Sequence, residues 1–188
     1  MSQDDLIDVV NEEDKVISQT TRREAINKKL AYRAIHIFLF NSKGELFLQK
    51  RASTKKRYPD YYDSSVSGHL NANESYEEAA YRELKGELGI LNVSLDKQFK
   101  IKCVYEGFPK MITLFILKYD GEIKINSKEI SAGRFYSVKE IKNMVRANKF
   151  TPSFIQLFEE YLKSRNLKIW GILNLWNNFK TKNPKIYK

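Results

Sequence analysis

Residues 68–90 read Gly68-His69-Leu70-Asn71-Ala72-Asn73-Glu74-Ser75-Tyr76-Glu77-Glu78-Ala79-Ala80-Tyr81-Arg82-Glu83-Leu84-Lys85-Gly86-Glu87-Leu88-Gly89-Ile90. Ser75 to Leu88 is the clearest helix in the chain. Ser75 serves as N-cap, Glu78 three residues on completes a capping box, and Gly89 stops the helix as a C-terminal glycine does. At 3.6 residues per turn, Tyr76, Ala80, Leu84 and Leu88 form one apolar stripe, while Glu77, Glu78 and Lys85 fall on the outer face. Glu83 and Glu87, spaced i,i+4, fall beside the stripe instead of opposite it. Like charges so spaced repel by about 0.2–0.5 kcal/mol on an open helix, and more at the edge of a buried face. A hard divalent cation with oxygen ligands relieves that repulsion, and magnesium in particular also binds substrate phosphates. On spacing alone, pairing with Arg82, Lys85 or a lysine of a neighbouring strand is the commoner fate of such acids.

Outward from this helix the elements are mixed. Leu6–Val10 and Val16–Thr20 read as the arms of a hairpin around the acidic turn Asn11-Glu12-Glu13-Asp14. Thr21 caps a short helix that runs to Leu30. Ala31–Asn41 and Glu45–Gln49 read as a second hairpin about Ser42-Lys43-Gly44. Arg51–Tyr62, with Pro59 inside it, is a loop, and Ser64–Leu70 is a short strand region. Strands dominate Leu91–Tyr119 and close at Phe135-Tyr136. Val138–Ala147 and Pro152–Ser164 are helices, the latter with proline where a first turn tolerates it. Strands with helices at separated points predict an α/β fold, a sandwich with a mixed sheet and not a doubly wound parallel one. The organisation read from this is an N-terminal hairpin and short helix over 1–30, a main domain over 31–165 and an extension over 166–188.

Composition bounds the function. The chain has 188 residues, 42% apolar and 13% aromatic, enough for one domain with a real core. The longest apolar runs are too short to span a bilayer. Met1–Asp8 is acidic and lacks the pattern of a secretory signal, and the single cysteine, Cys103, forms no internal disulfide; both lead to an expectation of a reducing, cytoplasmic setting. The net charge is +10. Half of it lies in 166–188, which holds five lysines and no acid. Ile169, Ile172, Leu173 and Trp176 follow helical spacing there. The favoured reading is an extension docked on its own domain or on a second subunit in a homodimer. Contact with an anionic membrane surface is the sharper alternative, and RNA contact needs more than charge and tryptophan.

The quoted stretch resembles the Nudix box: Gly, five residues, Glu, seven residues, Arg-Glu-aliphatic, one residue, Glu-Glu, one residue, Gly-aliphatic. Gly68, Glu74, Arg82, Glu83, Leu84, Glu87, Gly89 and Ile90 match at the right spacing. The resemblance implies a Nudix-type α/β/α sandwich that hydrolyses a phosphoanhydride bond in a nucleoside di- or triphosphate or a nucleoside-diphosphate-linked compound, with Mg2+ or Mn2+. It implies Glu83 and Glu87 as catalytic metal ligands, Glu83 also activating water, with the Gly68 carbonyl completing the site. Glu74 and Arg82 would form an ion pair that fixes the loop before the helix. Glu129, just before a strand, stands where many members carry a further acidic ligand; a solvated loop acid is the equal alternative. One position departs: the box expects glutamate where this chain has Gly86. That removes a ligand and places glycine inside a helix at a cost of about 1 kcal/mol. The alternative function is therefore a weakly active or inactive Nudix-fold module that binds nucleotide or RNA.

The resemblance extends to the isopentenyl-diphosphate-isomerase-like branch through Asn41-Ser42-Lys43-Gly44-Glu45-Leu46, Gln49-Lys50-Arg51-Ala52, Tyr58-Pro59 and Ser65-Val66-Ser67-Gly68-His69. Isomerases use a cysteine before the box glycine, where this chain has Ser67, and upstream histidine ligands, where it shows Tyr32. A hydrolase-type member is expected instead. Lys50 and Arg51 are the expected diphosphate contacts, Arg51 for its planar fork.

Overall fold

The computed structural model describes residues 4–105, 108–145 and 150–165. The N-terminal hairpin forms as read. β1 (Leu6–Val10) and β2 (Val16–Thr21) pair antiparallel, and α1 (Arg22–Asn27) follows with the Thr21 hydroxyl accepting from the Glu24 N–H. The hairpin is stitched to the main sheet where Val9 pairs with Tyr32.

β3 (Tyr32–Phe40) is the hub of the sheet. β6 (Val66–His69) lies antiparallel along one side of it, and β8 (Phe108–Lys118) lies parallel along the other. β7 (Asp96–Tyr105) pairs antiparallel with β8. Alternation along β3 divides the core. Ile35, Ile37 and Leu39 point to one face, where they pack with Val66, Phe115 and the Leu84–Leu88 stripe of α2 (Tyr76–Leu88). Ala34, Phe38 and Phe40 point to the other, under α3 (Val138–Val145) and α4 (Pro152–Ser164). There Phe150, Phe154 and Phe158 stack in series, with centroids 4.8 and 5.3 Å apart. The result is the three-layer α/β/α sandwich with a mixed sheet that the sequence predicts.

The expected hairpin of β3 with β4 (Leu46–Arg51) survives only at its turn, as the single pair Phe40↔Leu46. Beyond it β4 turns away to pair with β9 (Ile130–Tyr136) and with the two-residue β5 (Tyr62–Asp63). The reason is a wedge. Ser65, wholly buried, accepts a hydrogen bond from the Leu39 N–H (2.8 Å) and donates one to the Phe47 carbonyl (2.6 Å). It occupies ladder positions that direct β3–β4 pairing would use, and β6 takes the edge of β3 that β4 leaves. β6 is paired with β3 and β5 with β4, so the sheet gapes between them, and α2 lies along the gap.

Among the described residues no helix is long and apolar enough to cross a membrane. The basic aromatic extension over 166–188, and the subunit, membrane and RNA contacts expected of it, lie outside the described residues.

Candidate active site

α2 is placed by its ends. The Ser75 hydroxyl accepts from the Glu78 N–H while the Glu78 carboxylate accepts from the Ser75 N–H, and Gly89 closes the helix in the left-handed region at φ +67°. The loop before it is clamped as expected. Arg82 grips Glu74 in a two-pronged pair, Nε to Oε1 at 2.6 Å and Nη2 to Oε2 at 2.8 Å. The same guanidinium donates to the His69 carbonyl (2.9 Å) and to Glu83 Oε1 (2.6 Å). Arg82 thus ties the loop, strand β6 and one oxygen of Glu83 together. That density of carboxylate contact holds the guanidinium firmly protonated, its pKa raised.

Glu83 lies directly over Gly68. A Cβ added at Gly68 would sit 2.3 Å from the Glu83 carboxyl carbon and Oε1, so glycine is required there by contact. Glu87 is buried at 6% exposure. Its Oε2 accepts from Gln49 Nε2 (3.0 Å) and, weakly, from the Ser67 N–H (3.4 Å). Among the described residues it has no ion-pair partner. Burial, reinforced by the nearby Glu83, pushes the Glu87 carboxyl up to about 8, with Lys55 opposing and Glu129 adding to the push.

These acids line a cavity of about 120 Å3 in the gap between β6 and β4–β5. Its wall includes Glu83, Glu87, Gly68 and Glu129, which the structure brings together with Arg51. Glu129 is paired with Lys55. Arg51 is partly spent inside the protein: it donates to the Tyr58 carbonyl (3.2 Å), the Arg57 carbonyl (3.1 Å) and Asp63 (3.4 Å), and so shapes the 51–61 loop. Lys50 is not brought to the cavity. Strand alternation turns it away from its neighbours Gln49 and Arg51, and it pairs with Asp60 at 3.2 Å.

Several cavity residues were not legible beforehand. Gln49 supports Glu87, and Lys55 sits on Glu129. Asp63, buried, accepts from the Ser64 N–H and the Thr151 hydroxyl, both at 2.8 Å. His36 meets the Ser64 hydroxyl at 2.6 Å, and burial pushes its imidazole down to about 4, so it stays neutral. Ser67, where an isomerase would carry cysteine, has its hydroxyl 3.4 Å from Asp63. Cys103 is buried and its thiol is pushed up to about 12 by that burial, the inert position expected.

Residues 30–158 match the NUDIX domain family. An uncharacterised Nudix hydrolase of Pseudomonas aeruginosa, PA4841, is 32% identical over 158 residues, covering 84% of this chain and 94% of that one. The chain belongs to the Nudix hydrolase family. A Nudix hydrolase of Deinococcus radiodurans is 29% identical over 78% of this chain and 86% of its own. Among solved structures, DR0079 of Deinococcus radiodurans superposes at TM-score 0.70 with 26% identity, covering 78% of this chain and 91% of that one. The NUDIX domain of Shewanella oneidensis NrtR, solved with ADP ribose, superposes at TM-score 0.59 with 12% identity, over 77% of this chain and 99% of that one, a likeness of fold alone. Membership is at the level of the family. The narrower isomerase-like branch rests on the residues quoted for it.

The donor set of this Nudix hydrolase can be tested against a divalent ion. Among the described residues no three His, Cys, Asp or Glu side chains are gathered around one point. Magnesium does not require that: one or two carboxylates, waters and substrate phosphate oxygens suffice. A buried carboxylate without a cation, beside a second carboxylate over a backbone edge, fits such an ion. The backbone edge can be specified. The Ser67 N–H and the His69 carbonyl face α2, so by ladder alternation Gly68 turns its own N–H and carbonyl toward Ile35 of β3. The carbonyl that shares the side of Glu87 is that of Ser67.

Proposed function

We propose that this chain is a divalent-metal-dependent pyrophosphohydrolase acting on a nucleoside di- or triphosphate or a nucleoside-diphosphate-linked compound. The observation that carries the reading is Glu87: a buried carboxyl, hydrogen-bonded but not ion-paired among the described residues, beside Glu83 in the wall of a cavity. Among the described residues no cation pairs with it, so burial keeps this carboxyl protonated to about pH 8 and ionising it inside the fold costs several kcal/mol. A folded protein that keeps one has a use for it that these contacts alone do not supply.

Glu83 and Glu87 hold the cation, with Glu129 a third acid in reach through its loop and the β6 backbone completing the donors. The Ser67 carbonyl takes the part first assigned to Gly68, whose role is to leave room for Glu83. When bound, the ion polarises phosphoryl oxygens and lowers the pKa of a coordinated water. Gln49 fixes Glu87 by donating to Oε2. Arg82 engages Oε1 of Glu83 and leaves the other oxygen for the cation. Arg51 and Lys55 offer positive charge to the diphosphate, Arg51 with its orientation set by the 51–61 loop. Lys50, held by Asp60, supports that loop from outside.

A second reading keeps nucleotide binding and drops turnover, and Gly86 favours it. This glycine is exposed on α2, and a Cβ there meets nothing within 4 Å, so packing does not explain the missing carboxylate. Product release from a panel of nucleotides and nucleotide conjugates with Mg2+ separates the two. EDTA-sensitive turnover that is lost in Glu83→Gln supports the hydrolase. Tight nucleotide binding with no product supports the binding module.

A further inference from the structure

The cavity has a second wall with chemistry of its own. On β6 the side chains of Ser67 and His69 point to the face of the sheet opposite Gly68, and on β3 Ala34 lies on that same face, in register with His69. On β8, Lys110 pairs with Tyr32, one step of the same row away. Lys110 Nζ and His69 Nε2 approach to 3.4 Å, the ammonium lies 5.5 Å from the Tyr32 ring centre, and His69 packs on that ring at 5.2 Å. Ala34, the smallest side chain in the row, leaves the floor low. Arg22, the first residue of α1, lines the same cavity from just beyond the N-terminal hairpin.

Arg22 carries the decisive detail. Its Nε is buried from solvent and has no hydrogen-bond partner. A guanidinium N–H taken out of water and left unbonded forfeits its hydration with nothing in return. The residue lines the cavity whose wall also presents Lys110, so a small rotation of the guanidinium brings this unspent donor to a ligand there. Arginine suits this position because its planar fork matches two oxygens of a phosphate or carboxylate at once. Of the acids of the cavity, Glu83, Glu87 and Glu129 are the groups already assigned to the metal, and Asp63 is engaged by Arg51, the Ser64 N–H and the Thr151 hydroxyl. An anion arriving with that metal finds its second counter-charge here.

We propose that Arg22 and Lys110, with His69 between them, form an anion subsite that takes a free terminal phosphate of the substrate, so that the preferred substrates end in an uncapped terminal phosphate and not in a capped diphosphate. The claim deepens the hydrolase reading and rests on it for the word substrate, but the subsite itself does not depend on turnover. The whole cavity, about 120 Å3 and open on one side, has room for a compact charged group against this wall, with the nucleoside left in the mouth of the gap.

Two measurements test it on the full chain. The first is binding of inorganic phosphate in EDTA, followed by isothermal titration and by amide NMR shifts, for the wild type, Arg22→Met and Lys110→Met. Each variant is expected to bind phosphate at least about tenfold more weakly, the scale of one lost charge-assisted hydrogen bond, while its melting temperature shows that it is folded. The second is the ratio of kcat/KM for a nucleoside diphosphate to that for a sugar-capped diphosphate of the same nucleoside. The wild type is expected to favour the uncapped substrate by about tenfold or more, and both variants to lose that preference through KM. Phosphate binding unchanged in both folded variants overturns the subsite. An uncapped-to-capped ratio that the variants leave unaltered overturns its role in selection. A wild type that binds phosphate through Arg22 and Lys110 yet turns over neither substrate leaves the subsite standing and removes the hydrolase reading instead.

Discussion

Glu87→Gln should make the metal-free protein more stable and the enzyme inactive. In the structure the Glu87 carboxyl is buried, accepts from Gln49 and the Ser67 N–H, and is pushed from its ordinary 4.5 to about 8. The unfolded chain releases this proton near pH 4.5, and the folded chain holds it until about pH 8. The unfolded state therefore gains from ionisation across that window while the folded state does not, and stability falls as pH rises through it. At about 1.4 kcal/mol per unit, the group costs roughly 3 kcal/mol at neutral pH and on the order of 5 kcal/mol when ionised in the fold. A glutamine resembles the protonated acid, keeps an acceptor for Gln49 and does not titrate. The variant should match the wild type near pH 4.5 and exceed it at pH 8 in EDTA, by roughly 10 °C at about 2–4 °C per kcal/mol for a chain of this size. Adding Mg2+ or Mn2+ should raise the melting temperature of the wild type and leave that of the variant almost unmoved. Differential scanning calorimetry across pH, with and without metal, makes the comparison. A variant less stable than the wild type at pH 8 in EDTA, or one that keeps the full metal-induced shift, refutes the reasoning.

Gly86→Ala should stabilise by about 1 kcal/mol, since the site is open and mid-helix glycine is unfavourable; urea unfolding measures it. Gly86→Glu should supply the absent box carboxylate and lower the Mg2+ concentration needed for half-maximal turnover. Gly68→Ala puts a methyl group into the Glu83 carboxylate and should cut kcat by about a hundredfold, the scale of an ångström-sized displacement of a catalytic group, with the Glu74–Arg82 clamp intact. Cys103, buried with its thiol pushed up to about 12, should ignore an aromatic disulfide reagent at pH 8 in the native protein and react once unfolded in urea.

The sequence carried the parts of the fold that are local. The capping box, the αL glycine at 89 and the stripe of α2 depend on residues within a turn or two and stand as read, and the Glu74–Arg82 clamp that the resemblance implies is present as well. The β3–β4 hairpin went too far because a turn signal fixes only the first pair. What separates the strands is Ser65, some twenty residues away, and no period in either strand announces it. The site divides in the same way. Glu83 and Glu87 share one helix and their spacing brings them together. Gln49, Lys55, Arg22 and Lys110 come from four other elements, and each alone reads as an ordinary polar residue. Lys50 and Arg51 show the limit of adjacency: neighbours on a strand face opposite ways, so only Arg51 reaches the cavity. Which carbonyl of β6 shares the side of Glu87 depends in the same way on a phase in the ladder that composition does not carry.

A crystal grown with Mn2+ and pyrophosphate, examined by anomalous scattering, tests the central claim most directly. The account predicts one strong anomalous peak roughly 2.0–2.2 Å from carboxylate oxygens of both Glu83 and Glu87, with phosphate oxygens completing the shell. A peak bound elsewhere in the cavity, or Glu83 and Glu87 left free of manganese while pyrophosphate is bound, contradicts it.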